Sequence, residues 1–360
     1  EALIGDCLET AVRAADEVIL VDTGSVDSTV EIARGHGSKV KVFEDVTVGF
    51  EHGLIMDFSA VRNFAFSKAT QKYVMWMDAG DRISDPEILR EEVLAERSDV
   101  LLMGTIFGRS RYKRERVGPR GMVKFEHRVH ETMNIDGLST ECSAAHIMHL
   151  GSKKVGREQS LDRNIRLLLR MLDEDPKSRH RWRWYFYLGQ DLLSSGRTEE
   201  AMEYFKKVKN GRGFWEERVI ASLEIAKSLI TSRAYDAAMS VCLDALKLGS
   251  NWREPLYMIG DIYFRQMAYE KAIPWYTHCL GVPRPEVLLW LWEDVYTWLP
   301  QSQLSYCYES LGSLDEALYW LNEEKKNVSK SQEDRIHKRQ RTLEEAKHSL
   351  GINRRTCAKN

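Results

Sequence analysis

The chain has 360 residues, 43% hydrophobic and 29% charged, with 52 basic against 54 acidic side chains and a formal net charge of -2. That balance excludes wholesale disorder and argues against a chain-wide polyanion binder, while the length suggests two or three domains. Six cysteines (Cys7, Cys142, Cys242, Cys279, Cys307 and Cys357) lie far apart without a CxxC pair, so neither a zinc site nor a disulfide framework is indicated and a reducing cytoplasm fits. No stretch reaches the roughly 18 uninterrupted apolar residues of a membrane span, and no signal-peptide pattern opens the chain. It starts without Met, so sequence before Glu1 is expected.

From Glu1 to about Leu150, short β-rich runs alternate with amphipathic stretches. EALIGDCLETAV reads as a helix, EVILVD as a buried strand, DSTVEIARGHG as a helix, KVKVFE as an alternating strand and DFSAVRNFAFSKAT as a second internal helix. Ser28 and Glu31 have capping-box spacing, and Gly35 or Gly37 can end that helix. YVMWMD is the next strand, Asp85-Pro86 starts another helix, and DVLLMGTIF is a fourth strand. Strands alternating with helices imply an α/β domain with a mostly parallel sheet, which binds ligands beyond the carboxyl ends of its strands. Asp22 and Asp78 both fall there.

Several stretches carry candidate chemistry. VDTGSVDST (21 to 29) ends a strand in Asp22 and opens a helix; the acid can accept from ribose or base donors, or simply cap a turn. DFSAVRN sets Arg62 and Asn63 in the first turns of a helix, where arginine can grip a diphosphate or pair with a neighbouring acid. DAGD (78 to 81) stops an apolar run with Asp78 and Asp81, either as a helix-capping turn or as a seat for a hard divalent cation that neutralises a diphosphate. In VKFEHRVHETM a strand-like run holds Arg128, His130 and Glu131, with period two setting Arg128 and His130 on one face. HIMHLGS carries His146 and His149, a pattern most often explained by core packing. The basic segment GRSRYKRERVGPRG (108 to 121) reads as a solvated loop or a phosphate-binding one. KSRHRWRWYF mixes arginine with aromatics, but it lies where a helix begins, so packing explains it better than a nucleic-acid platform.

After about Gln159 strands vanish and helical segments recur. Small residues Ala201, Ala238, Ala272 and Ala317 anchor the second helix of each unit; Gly189, Ala226, Gly260 and Ser305 precede them by twelve, and Phe205, Cys242, Tyr276 and Leu321 follow by four. The spacings bracket the tetratricopeptide period. RPEVLLWLWEDVYTWLP reads as an extra Trp-rich helix that packs in the core.

These pieces in this order resemble the family 2 glycosyltransferases of GT-A fold with C-terminal tetratricopeptide repeats, and VKFEHRVHE followed by a late His-x-Gly is similar in particular to the S-glycosyltransferases of glycocin peptides. The resemblance implies a GT-A-like domain over residues 1–155 lacking its first strand, repeats over 156–345, and a polar tail over 346–360. It implies Glu1 as the last acid of the family's Asn-Glu-Glu. Asp22, Ser25, Asp27, Arg62, Asn63 and Asp78 would bind the nucleotide-sugar, expected to be a UDP-sugar. Mn²⁺ or Mg²⁺ would sit on Asp78, assisted by Asp81, with His149 as a further ligand. Gly80 stands where the family's Asp-x-Asp has its second acid. Glu131 would be the base of an inverting transfer, with His130 as its competitor. The repeats would grip a peptide, protein or glycan acceptor, or form a homodimer; no nucleic acid is expected. An interaction protein whose transfer domain has lost activity is the rival reading.

Overall fold

Where apolar residues alternate the chain extends, and where they recur every third or fourth position it coils. A computed structural model describes all residues except 1–2, 45–46, 52–53, 109, 152–156 and 358–360; Glu1 therefore lies outside the described residues. The chain forms two compact units, Glu1–Tyr204 with Val287–Leu291, and Phe205–Glu286 with Trp292–Asn360.

The first unit runs α1 (Ile4–Ala14), β1 (Val18–Val21), α2 (Thr29–Gly35), β2 (Val40–Phe43), a small hairpin β3 (Phe50–Glu51) and β4 (Leu54–Ile55), α3 (Phe58–Lys68), β5 (Tyr73–Met75), β6 (Asp81–Ile83), α4 (Pro86–Ala95), β7 (Val100–Phe107), β8 (Ser110–Pro119), β9 (Lys124–Glu126), β10 (Thr132–Asn134) and β11 (Thr140–His149). Helices α5 (Arg157–Glu174) and α6 (Arg181–Ser194) follow. The central sheet has the order β5-β8-β7-β11-β6. Only the β7–β11 pairing is parallel; the other three are antiparallel, so this sheet is mixed rather than mostly parallel. The reason is that β8 returns from β7 as a hairpin, not through a helical crossover. β1 and β2 pair in parallel, apart from it.

Alternation along β7 sends Leu101 and Met103 into one core with Ile83, Leu89 and Ile147, and Val100 with Leu102 into another with Val74, Trp76, Phe125 and Met133. A cavity of about 670 Å³ lies between β1 and β5, walled by their side chains and by α1 and α3. Ser28 makes no side-chain cap at α2; Asp27 accepts from the Thr29 N–H at 3.1 Å, so the expected capping box is not formed.

α7 (Thr198–Asn210) spans the division between units. The change from strands to helices near residue 155 is thus not where the first compact unit ends. The second unit contains α8 (Trp215–Thr231), α9 (Tyr235–Leu248), α10 (Arg253–Arg265), α11 (Tyr269–Gly281), α12 (Glu293–Thr297), α13 (Leu299–Ser310), α14 (Leu314–Lys325) and α15 (Lys330–Cys357). All twelve small and packing positions of the repeat pattern are buried. Gly260 shows why: a Cβ there would lie 2.6 Å from the Tyr276 ring, and α10 could not approach α11 so closely. The Trp-rich stretch is not one helix; only Glu293–Thr297 coils, while Val287–Leu291 packs in the first unit with Trp290 stacked on Phe186. The expected tail is mostly helical, as α15 continues to Cys357.

Candidate active site

β5 ends at Met75, and the chain enters a tight turn in which Asp81 N–H donates to the Asp78 carbonyl at 2.8 Å and Asp78 N–H to the Asp81 carboxylate at 3.1 Å. Asp57 caps α3 by accepting from Ala60 N–H at 2.9 Å, which sets the helix's first turns against this one. From α3 Arg62 lies on the face of Trp76, 4.4 Å from the ring centre, and donates to Asp78 Oδ1 at 2.8 Å and to Glu131 Oε1 at 2.7 Å. Burial opposes its charge, but the two carboxylates outweigh it and hold the guanidinium more firmly protonated than usual.

Asp81 is 1% exposed and fully engaged, with Oδ2 against Arg116 at 2.8 Å and Oδ1 against His149 Nδ1 at 2.7 Å. Burial pushes its pKa up, but His149 and Arg116 prevail and keep it below the usual range. An ionised carboxylate only accepts, so Nδ1 of His149 carries the proton and, in the neutral ring, Nε2 holds the lone pair; the same carboxylate raises the imidazole's pKa above its usual value. Asp81 therefore orients His149 rather than offering an oxygen of its own. Asp78, half-exposed, keeps Oδ2 beyond the Arg62 contact. Cys7 sits behind, its thiol pushed up to about 12 by burial and by Asp81 and Asp78, and is inert.

Around these groups lies a cavity of about 440 Å³. Tyr112, Arg114 and Arg116 line it from β8, Val129, His130 and Glu131 from the turn after β9, and Arg163 and Asn164 from α5. The basic segment is thus a strand and not a loop: alternation turns Arg114 and Arg116 inward, where both guanidiniums stand over Trp76. The VHE run is a turn and not a strand. His127 and His130 have φ of 74° and 51°, which breaks the expected period-two facing.

Other expected residues behave differently. Asn63 donates to the Phe125 carbonyl at 2.9 Å and accepts from its N–H at 2.7 Å, so its amide fastens β9 instead of facing the cavity. Asp22 accepts from Gly24 and Ser25 N–H groups and Asp27 from Thr29; with Ser25 they form an exposed loop outside this cavity. His146 is exposed, not core. Trp76, Arg163 and Asp191 carry no functional signal in the sequence; Arg114 and Arg116 belong to the basic segment expected as a solvated or phosphate-binding loop, and the alternation Tyr112, Arg114, Arg116 is the strand signal within it.

A cation is implied by the resemblance, and the residues fit one in part. Asp78 Oδ2 and His149 Nε2 are the donors that remain. Among the described residues the set of three potential ligands within 4.8 Å of one another is a different one, Glu126, His127 and His180. It is poorly suited: Trp184 Nε1–H, only a donor, faces His127 Nδ1 at 3.2 Å, leaving the proton on Nε2, and Arg179 Nε donates to His180 Nε2 at 2.8 Å.

With this geometry in view, comparison with known proteins gives two matches: residues 1–147 match the glycosyl transferase family 2 domain, and 254–284 match a tetratricopeptide repeat. The chain carries a family 2 glycosyl transferase domain. Glycosyltransferase SunS of Bacillus subtilis (strain 168) and of Bacillus phage SPbeta is 26% identical over 266 residues, 68% of this chain and 59% of that protein. A cholesterol galactosyltransferase of Borreliella burgdorferi is 29% identical over 28% of this chain and 27% of its own length. The chain thus spans less than two thirds of the curated relatives it matches. Among solved structures, MamA 41-end from Desulfovibrio magneticus RS-1 is similar over 49% of this chain and 92% of that one, at 17% identity and a TM-score of 0.38. By the match over 254–284, the family 2 domain is followed by helical repeats of tetratricopeptide type. Among the described residues no helix is long and apolar enough to cross a membrane.

Proposed function

We propose that the chain transfers a sugar from a nucleotide-sugar, a UDP-sugar first among them, to a peptide, protein or glycan acceptor, with inversion at the anomeric carbon. The observation that carries this reading is the cavity in which Asp78 and His149 retain free donors beside the guanidiniums of Arg62, Arg114 and Arg163. Such a set suits a diphosphate leaving group. Mn²⁺ or Mg²⁺, held by Asp78 and His149 with Asp81 behind, would neutralise that diphosphate. Asp22, with Ser25 and Asp27 shaping its loop, would accept from the nucleoside. Arg62 would hold Asp78 and Glu131 in register, and Asn63 would act through β9. In-line attack needs one proton acceptor near the nucleophile, and His130 and Glu131 are adjacent to that task. The repeats would bind the acceptor or a second copy of the chain, in a reducing cytoplasm.

The rival, a catalytically impaired interaction protein, draws on the commitment of both Asp81 oxygens: with Gly80 in the motif, two side chains remain for the cation. Incubation with a panel of UDP- and GDP-sugars and Mn²⁺, with and without EDTA, separates the two. Metal-dependent nucleotide release supports transfer; none from any donor overturns it.

A further inference from the structure

On α6 the residues Arg183, Tyr187 and Asp191 recur at intervals of four and so share one face. That face meets the turn after β9. The Tyr187 ring stacks on the His130 imidazole with centroids 4.1 Å apart and planes 11° from parallel. Asp191 Oδ2 lies 2.8 Å from His130 Nε2, and Arg183 Nη2 donates to the His130 carbonyl at 3.3 Å. Asp191 is 7% exposed, and His130 holds a left-handed φ of 51° that non-glycine residues rarely adopt.

We propose that Asp191 is a positioning residue that makes His130 the proton acceptor for the attacking nucleophile, an assignment that rests on the transferase reading above. An ionised Asp191 can only accept, so Nε2 of His130 must carry the proton and Nδ1 keeps the lone pair. Among the described residues Nδ1 has no hydrogen-bond partner and is not a buried orphan, and the imidazole lines the cavity. Stacking on Tyr187 prevents the ring from turning away. Glu131 has its Oε1 already taken by the Arg62 guanidinium at 2.7 Å, whereas His130 Nδ1 is not engaged in this way. The charged groups about the imidazole are Asp191 and Arg183 of α6, Arg163 of α5, Arg114 of β8, and Glu131 of the same turn.

In the step itself, a nucleophile X–H loses its proton to Nδ1, the X–C bond to the anomeric carbon forms, and the C–O bond to the diphosphate breaks with its electron pair leaving on oxygen. The imidazolium that results is stabilised by Asp191.

The test reads the imidazole and the reaction separately, in the full chain. Nitrogen NMR of histidine-labelled protein, with the His130 signal assigned by its loss in His130→Gln, is expected to show the Nε2–H tautomer. In Asp191→Asn that tautomer is lost. In the same variant, nucleotide release from a UDP-sugar is expected to fall about 100-fold or more in kcat with KM nearly unchanged, and Asp191→Glu to recover part of it. A His130 tautomer indifferent to Asp191, or a His130→Gln enzyme as active as wild type, overturns the proposal. If no donor releases nucleotide even in the wild type, the transferase reading fails, while the tautomer measurement still decides whether Asp191 sets the imidazole.

Discussion

The Asp81 carboxylate accepts Nδ1–H of His149 at 2.7 Å through one oxygen and is buried against Arg116 at 2.8 Å through the other. The first contact frees Nε2 of the imidazole; the second makes Asp81 part of the core. Replacing the two residues should therefore have different consequences. His149→Ala is expected to weaken Mn²⁺ binding at least about 10-fold and, by leaving the buried Asp81 Oδ1 without its donor, to cost about 1–3 kcal/mol in stability. Asp81→Asn leaves a buried guanidinium unpaired and should cost about 3–5 kcal/mol in urea unfolding. Calorimetry giving one metal constant for His149→Ala and wild type would remove His149 from the cation's ligands.

At Gly80 an added Cβ would meet only ordinary contacts, at 3.6 Å from Leu3 Cδ1 and 3.7 Å from His149 Cε1. Gly80→Asp should fold normally and tighten Mn²⁺ binding by supplying a third donor. A weaker metal constant in this variant would show that the turn cannot aim the new acid at the cation.

Asn63 separates a structural role from a donor-binding one. Its two hydrogen bonds to Phe125 hold β9 and hence the turn carrying His130 and Glu131. Asn63→Ala is expected to lower stability by about 1–3 kcal/mol and to reduce kcat, with the KM for the nucleotide-sugar nearly unchanged. A rise in KM alone would restore the amide to donor contact.

Cutting the chain after Leu150 tests where the catalytic unit ends. Such a fragment lacks Arg163, Asn164, Tyr187 and Asp191, which line the cavity or hold His130. Its donor hydrolysis should fall at least about 100-fold, in keeping with loss of the base's support. A folded fragment by circular dichroism that hydrolyses donor at the full rate would show α5 and α6 to be dispensable.

His127 gives a signature in pH. Burial, then Arg183 and His180, push its pKa down to about 3. The unfolded chain takes a proton near pH 6.5, whereas the folded chain refuses it until near pH 3. Stability should therefore be full above about pH 6.5 and decline as the pH falls towards 3. NMR titration is expected to show one imidazole unchanged between pH 8 and 5; a midpoint near 6.5 for His127 would contradict its burial.

Alternation and helical spacing were enough to locate β1, β2, β5, β7 and the helices α1 to α4, because those elements bury one face and that need is written residue by residue. The repeat anchors were legible for the same reason: wherever two helices cross closely, as at Gly260 against Tyr276, only a small side chain fits. The DAGD motif also marked Asp78 and Asp81 as special. What sequence could not separate was their roles, since Asp81 is an orienting residue only by virtue of Arg116 and His149, 35 and 68 positions away. β8 was hidden because three of its inward side chains are polar, so no apolar alternation announced a strand. The Asp191–His130 contact spans 61 positions and joins a repeat-like helix to a turn in a left-handed conformation. No local pattern encodes such a contact, because its energy exists only once packing has brought the two elements together.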